Sequence, residues 1–216
     1  KKSFAQFPTT DYTDALHLID PWIAAQRDYK DLPSVSVAIV KDQETIWSKS
    51  YGSSNTDGKV TASINTLYSI CSISKLFTAI AIMQLYDAGK LRLDDNIETL
   101  LPNYNLKQQY KESGPVTIRS LLTHSSGLPR ESDFPYWTGP DFPFPTQAQL
   151  NARLSEQQTL YPSSTYFQYS NLGMSLLGEV VEKVSGQPYD KYVEENILKP
   201  LRLNSTLTYI PKEEWG

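Results

Sequence analysis

Ser72-Ile73-Ser74-Lys75 heads the most apolar helix-patterned stretch of the chain and sets a serine and a lysine three residues apart. Residues i and i+3 share a helix face, so the hydroxyl of Ser72 and the ammonium of Lys75 can meet without help from the tertiary fold. Leu76, Phe77, Ile80, Ile82, Met83 and Leu85 follow, which predicts a nearly all-round apolar helix buried inside a domain. Burial there would strip Lys75 of hydration and favour its neutral, proton-accepting form. The free N–H groups of the helix start would favour negative charge developing on Ser72. Taken alone, the same four residues also fit a helix cap beside a snorkelling surface lysine.

Working outward, Tyr169-Ser170-Asn171 lies 97 residues downstream of Ser72, just before an apolar helix-patterned run from Leu172. In an extended segment residues i and i+2 point the same way, so Tyr169 and Asn171 can face one cleft. A phenol there can shuttle a proton, and a carboxamide can hold a substrate amide or the lysine. Ser-x-x-Lys with Tyr-x-Asn matches two of the three signatures of serine β-lactamases and penicillin-binding proteins, Tyr-Ser-Asn standing where other branches carry Ser-Asp-Asn.

The chain therefore resembles the family of class C β-lactamases, DD-peptidases and EstB-type esterases. Shorter matches run in the same order along it. Ser34–Val40 and Thr45–Gly52, joined through Lys41-Asp42-Gln43, are similar to the family's first hairpin, with Gln43 at the usual turn glycine. Val35, Val37 and Ile39 share one face, as a strand requires. Gly89-Lys90-Leu91-Arg92-Leu93-Asp94-Asp95 resembles the segment after the active-site helix, Gly89 closing that helix. Leu121-Leu122-Thr123-His124-Ser125-Ser126-Gly127-Leu128 is close to a Leu-Leu-Thr-His-Thr-Ser-Gly-Leu signature, and Pro200-Leu201-Arg202-Leu203 to a Pro-Leu-Gly-Met turn.

The resemblance implies an α+β, beta-lactamase/transpeptidase-like fold: an all-α subdomain plus an antiparallel sheet subdomain, of which this chain holds the N-terminal part. The expected layout is residues 1–68 as N-terminal helix and first hairpin, 69–204 as active-site helix and all-α subdomain, and 205–216 as the start of the return to the sheet. Helices are expected at Tyr12–Tyr29, bent or restarted at Asp20-Pro21, and at Asp94–Leu101, Ile118–His124, Gln147–Leu154, Leu172–Ser185 and Pro188–Ile197, with a short strand near Thr66–Tyr68. Gly186 and Pro188 should mark the stop and start between the last two helices. The family's third signature, Lys or His then Thr or Ser then Gly, has no counterpart: Trp137-Thr138-Gly139 has the shape but precedes Tyr169 and lies among prolines. A lone hairpin makes no stable sheet, so a C-terminal segment or a second chain is expected to complete it and carry that signature.

The implied chemistry is acyl transfer through a covalent ester on Ser72, with Lys75 and Tyr169 sharing its proton and Asn171 orienting the substrate, a D-Ala peptide, an ester or a β-lactam. The oxyanion hole would use the Ser72 N–H and one more from the third-signature strand. The rival is a non-catalytic ligand-binding or interaction protein of the same fold. His17 is remote from every motif, and His124 is better explained as a helix-end hydrogen-bonding group than as a triad base. No ligand spacing suggests a metal, and no cofactor is called for.

Net charge is −4 with no basic patch, which argues against a nucleic-acid partner. The longest apolar run, Ala79–Met83, is far short of a membrane span. Lys1-Lys2-Ser3 is followed by no apolar leader, so any signal peptide is expected to be gone or never present. By resemblance, the location is periplasmic or secreted. The single cysteine, Cys71, is expected to pack as a small buried hydrophobe. Five prolines and five aromatics between Pro129 and Pro145 predict a stiff loop with an apolar surface, either a lid on the protein's own core or a substrate-facing wall; the resemblance favours the second, since it implies a loop that borders the active site.

Overall fold

The computed structural model describes residues 11–55, 57–133 and 144–209, which fall into two compact units, one built on residues up to Ser69 and the other Ile70–Thr208. The aromatic-rich segment with Phe134, Tyr136, Trp137 and Phe142, the Trp137-Thr138-Gly139 triplet, and the two ends lie outside the described residues.

The first unit is a helix and a hairpin. Helix α1 (Thr13–Tyr29) continues through Pro21, where a bend or restart was expected, with no restart. Proline removes a single donor, and the remaining helical bonds on both sides carry the helix past it. Strands β1 (Ser34–Lys41) and β2 (Glu44–Gly52) pair antiparallel from Ser34 opposite Gly52 to Lys41 opposite Glu44. Asp42 and Gln43 both take left-handed φ, 51° and 70°, the geometry of a two-residue turn that matches strand twist. Gln43 bears there the conformation that glycine adopts freely. The pairing shifts between Ile39 and Val40, which face Trp47 and Thr45 and leave Ile46 as a bulge. Polar side chains fasten helix to hairpin: Lys49 Nζ and Tyr51 Oη each donate to the Asp20 carboxylate at 2.6 Å, while Lys41 Nζ donates to Tyr12 Oη at 2.7 Å.

Thr66–Tyr68 is not a strand. The backbone turns at Ser63–Thr66, where Thr66 N–H donates to Ser63 O at 3.0 Å, and the run after it pairs with no strand among the described residues. Tyr68 instead reaches β1 by side chain, its hydroxyl 3.1 Å from Ser34 Oγ and from Ser36 Oγ.

The second unit is helical: α2 (Ser74–Asp87), α3 (Ile97–Leu100), α4 (Ile118–Leu122), α5 (Gln147–Leu154), α6 (Asn171–Ser185) and α7 (Tyr189–Val193), the last continuing into a wide turn over Glu194–Leu198. Helix α3 is shorter than expected because Asp95 accepts the Arg92 N–H at 2.7 Å, folding Asp94-Asp95 into a turn, and Asn96 then caps the helix. Helix α4 stops before His124, whose φ of 54° leaves helical space. Gly89 closes α2 with φ 68°, letting Lys90 N–H reach back to Leu85 O at 2.9 Å.

The core of this unit joins Ala81, Ile82 and Leu85 of α2 to Leu121 of α4, to Leu172, Leu176, Leu177, Val180 and Val181 of α6, and to Tyr192, Val193 and Ile197. Among the described residues the all-round burial expected for α2 is not found: Leu76 is 59% and Met83 38% exposed, while the core covers the Thr78, Ala81, Ile82 and Leu85 stripe with Phe77 and Ile80 partly buried beside it. Among the described residues, no helix is long and apolar enough to cross a membrane.

Candidate active site

Ser72 sits in a single 3₁₀ turn, Cys71–Ile73, that leads into α2, and Lys75 is the second residue of that helix. Lys75 Nζ donates to Ser72 Oγ at 3.1 Å, the one-turn contact that the spacing allows. Across from it, Tyr169 Oη lies 2.8 Å from Ser72 Oγ. The serine oxygen is thus held between an ammonium and a phenol. Ser72 is exposed and Lys75 half-buried, so the dry surroundings expected for the lysine are absent among the described residues. Cys71 is exposed rather than packed, since its left-handed φ of 46° belongs to a surface turn and not to the buried helix face.

Tyr169 is positioned by His124, which follows the C-terminus of α4. Ser170 N–H donates to His124 Nδ1 at 3.2 Å, Gln168 N–H donates to His124 O at 2.7 Å, and the imidazole lies 4.7 Å from the Tyr169 ring. His124 is a helix-end hydrogen-bonding group, and it also brackets the tyrosine on both sides along the chain. Burial, aided by the charge of Lys75, holds its pKa below the ordinary value, in keeping with a neutral ring whose Nδ1 accepts. Gly127, at φ 77°, keeps the same loop close to its neighbour: a Cβ there would stand 2.1 Å from Tyr161 O.

Two cations flank the phenol. Lys75 Nζ is 5.0 Å and the Arg130 guanidinium 4.9 Å from the Tyr169 ring centre. Burial alone would raise the Tyr169 pKa, but hydrogen bonds from Lys75 and Ser72, with the charges of Lys75 and Arg130, carry it below the ordinary phenol value.

Asn171 departs from the extended arrangement expected of Tyr-x-Asn. Ser170 ends the extended stretch as the N-cap of α6, accepting Gly173 N–H at 2.9 Å, so Asn171 is already the first helical residue. Its Nδ2 donates to Glu131 Oε1 at 2.7 Å, a partner the motif did not suggest. Arg130 and Glu131 were missed in the sequence because adjacent opposite charges in a proline-flanked loop look like a solvated surface. Among the described residues, no group of three or more His, Cys, Asp and Glu is arranged to hold a metal.

A sequence model described as Beta-lactamase matches residues 19–215. The chain belongs to the beta-lactamase family. Among its relatives, beta-lactamase-like protein 2 of Dictyostelium discoideum is 35% identical over 182 residues, covering 82% of this chain and 33% of that protein. A putative D-alanyl-D-alanine carboxypeptidase of Escherichia coli is 32% identical over 205 residues, covering 90% of this chain and 47% of that one. The solved octameric penicillin-binding protein homologue of Pyrococcus abyssi superposes with a TM-score of 0.79 at 34% identity, covering 92% of this chain and 45% of that one. This member of the beta-lactamase family thus spans between a third and a half of the length of these relatives. Its helices and two-stranded antiparallel sheet have the beta-lactamase/transpeptidase fold.

Proposed function

We propose that the protein is a serine hydrolase or acyltransferase that works through an acyl ester on Ser72. One observation carries the reading: Ser72 Oγ is within hydrogen-bond distance of both Lys75 Nζ, at 3.1 Å, and Tyr169 Oη, at 2.8 Å. A serine hydroxyl is a weak nucleophile until a neighbouring base takes its proton. Tyr169, its pKa lowered by hydrogen bonds and nearby cations that outweigh burial, accepts that proton as Ser72 Oγ attacks the substrate carbonyl. Lys75 steadies the charge on both oxygens, and the proton passes from Tyr169 to the leaving group. Water or another acceptor then releases the acyl group from Ser72. The start of the α2 region offers the Ser72 N–H to the oxyanion, and Asn171 orients the acyl donor.

Of the three acyl donors considered, a D-Ala peptide or an ester is favoured over a β-lactam; the naming of the Escherichia coli relative as a putative D-alanyl-D-alanine carboxypeptidase supports the peptide. Work in the periplasm or outside the cell follows from the same reading, since peptidoglycan peptides are found there. Further strands, from a C-terminal segment or a second chain, would complete the two-stranded sheet and bring the third signature to Ser72. A panel of a D-Ala-D-Ala peptide, a short-chain nitrophenyl ester and a chromogenic cephalosporin tests the assignment. Turnover of the first or second that disappears in Ser72→Ala supports it; fast turnover of the cephalosporin alone overturns the substrate preference. No turnover of any by the full-length protein favours the non-catalytic reading.

A further inference from the structure

Two cations meet at one phenol, and they differ in kind. Lys75 Nζ stands 5.0 Å and the Arg130 guanidinium 4.9 Å from the centre of the Tyr169 ring. Like charges repel, so a second cation at a ring that already holds one needs something to keep it there. The backbone supplies it. Asn171 N–H donates to Arg130 O at 2.7 Å and Leu172 N–H to the same oxygen at 3.4 Å, while Ser170 Oγ donates to Pro129 O at 2.6 Å, so the arginine is stitched to the start of α6 beside the tyrosine. Its side chain is held as well: Glu131 Oε1 lies 3.3 Å from Arg130 Nε and accepts a hydrogen bond from Asn171 Nδ2 at 2.7 Å. The phenol is thus faced by Lys75 of α2 and by His124 and Arg130, which follow α4, with Glu131 paired to Arg130 and Cys71 next to Ser72 in the chain. Lys75 also donates to Ser72 Oγ at 3.1 Å, and an ammonium can lose its proton as pH rises. A guanidinium stays charged throughout.

We propose that Arg130 is a positioning residue that holds a permanent positive charge against Tyr169, keeping the phenol ready to take the Ser72 proton. The inference rests on acyl transfer at Ser72 with Tyr169 as the base. A phenol of ordinary acidity is ionised to only about 0.1% at neutral pH, so a cation that favours the phenolate increases the amount of working base. Burial of Tyr169 opposes ionisation, and the charge of Arg130 is among the influences that outweigh it. The Arg130 side chain is 62% exposed, so solvent screens much of its field and the displacement it produces is modest, about half a pH unit.

The test follows phosphonylation of Ser72 in the full-length protein by a fluorophosphonate from about pH 6 to about pH 10. NMR of the labelled Tyr169 Cζ, assigned by its loss in Tyr169→Phe, follows the phenol over the same range. Rates are taken relative to the final labelled fraction, so unfolded protein drops out of the comparison. In Arg130→Gln the midpoint of the rising limb and the Tyr169 titration should both move up by about half a unit, roughly threefold in rate at a fixed pH below the midpoint. Arg130→Lys, which keeps the charge, should bring both back toward the wild type, and added salt should narrow the gap between wild type and Arg130→Gln. Loss of packing alone would lower the rate at every pH and leave the midpoint where it was. That result, or a midpoint as high in Arg130→Lys as in Arg130→Gln, overturns the role of Arg130 and leaves the nucleophile in place. A Tyr169 titration that moves while the rate limb stays takes the tyrosine out of the base role, and the inference falls with it. Failure of the wild type to label at Ser72 strikes the acyl-transfer reading itself.

Discussion

Helices α2 and α6 bring the two halves of the candidate site together, yet they are built for different tasks. Helix α6 begins with Ser170 capping Gly173 N–H, ends at left-handed Gly186, and buries seven of its residues, Leu172, Gly173, Met174, Leu176, Leu177, Val180 and Val181. Helix α2 follows a 3₁₀ turn, has no side-chain cap at its start, and buries only Thr78, Ala81, Ile82 and Leu85. Stability is concentrated in α6, the helix that aims Tyr169 and Asn171. The proposed nucleophile sits at the exposed start of α2, where a capping side chain would compete for the N–H groups that an oxyanion needs.

Truncation should separate the two most sharply. Leu177→Ala, at a fully buried position of α6, is expected to cost about 2–5 kcal/mol of folding free energy. Leu76→Ala, on the exposed face of α2, should stay within about 0.5 kcal/mol. Urea denaturation of both variants checks this; equal losses would mean that the bare face of α2 is covered in the protein in solution.

At the reactive end, Tyr169→Phe should lower the rate of Ser72 acylation by about 10²-fold with little change in the urea midpoint, because it removes a proton acceptor and leaves the ring packing intact. Stopped-flow acylation kinetics decide it, and an unchanged rate would take Tyr169 out of the mechanism.

A smaller effect should come from His124. Its folded pKa lies below the ordinary 6.5, so the neutral ring is favoured in the native state. Its contribution to stability is complete above about pH 6.5 and is lost as pH falls through the lowered folded value. Urea midpoints should therefore drop between about pH 7.5 and pH 5, and the drop should shrink in His124→Asn, which keeps an acceptor for Ser170 N–H. An identical drop in the variant would assign the acid sensitivity to other groups.

Much of this was legible from local rules. Ser72 and Lys75 meet because i and i+3 always share a helix face, and Gly89 and Gly186 ended their helices where the apolar periodicity stopped. What could not be read depended on partners distant in sequence. The exposure of Leu76 and Met83 depends on what packs against α2, which apolar spacing alone does not reveal. Asn171 was expected in an extended segment, but Ser170 caps α6 one residue earlier, and the carboxamide turns to Glu131, forty residues away. Thr66–Tyr68 has strand-like residues and no strand, because a ladder needs a partner and none pairs with it among the described residues.

The central claim is that Ser72 is the nucleophile. Intact-mass spectrometry of the full-length protein after reaction with a fluorophosphonate tests it most directly. The account predicts one adduct per chain in the wild type, mapped to the peptide holding Ser72, and none in Ser72→Ala. Equal labelling of the two proteins, or an adduct on Cys71 or Tyr169 in the wild type, would contradict it.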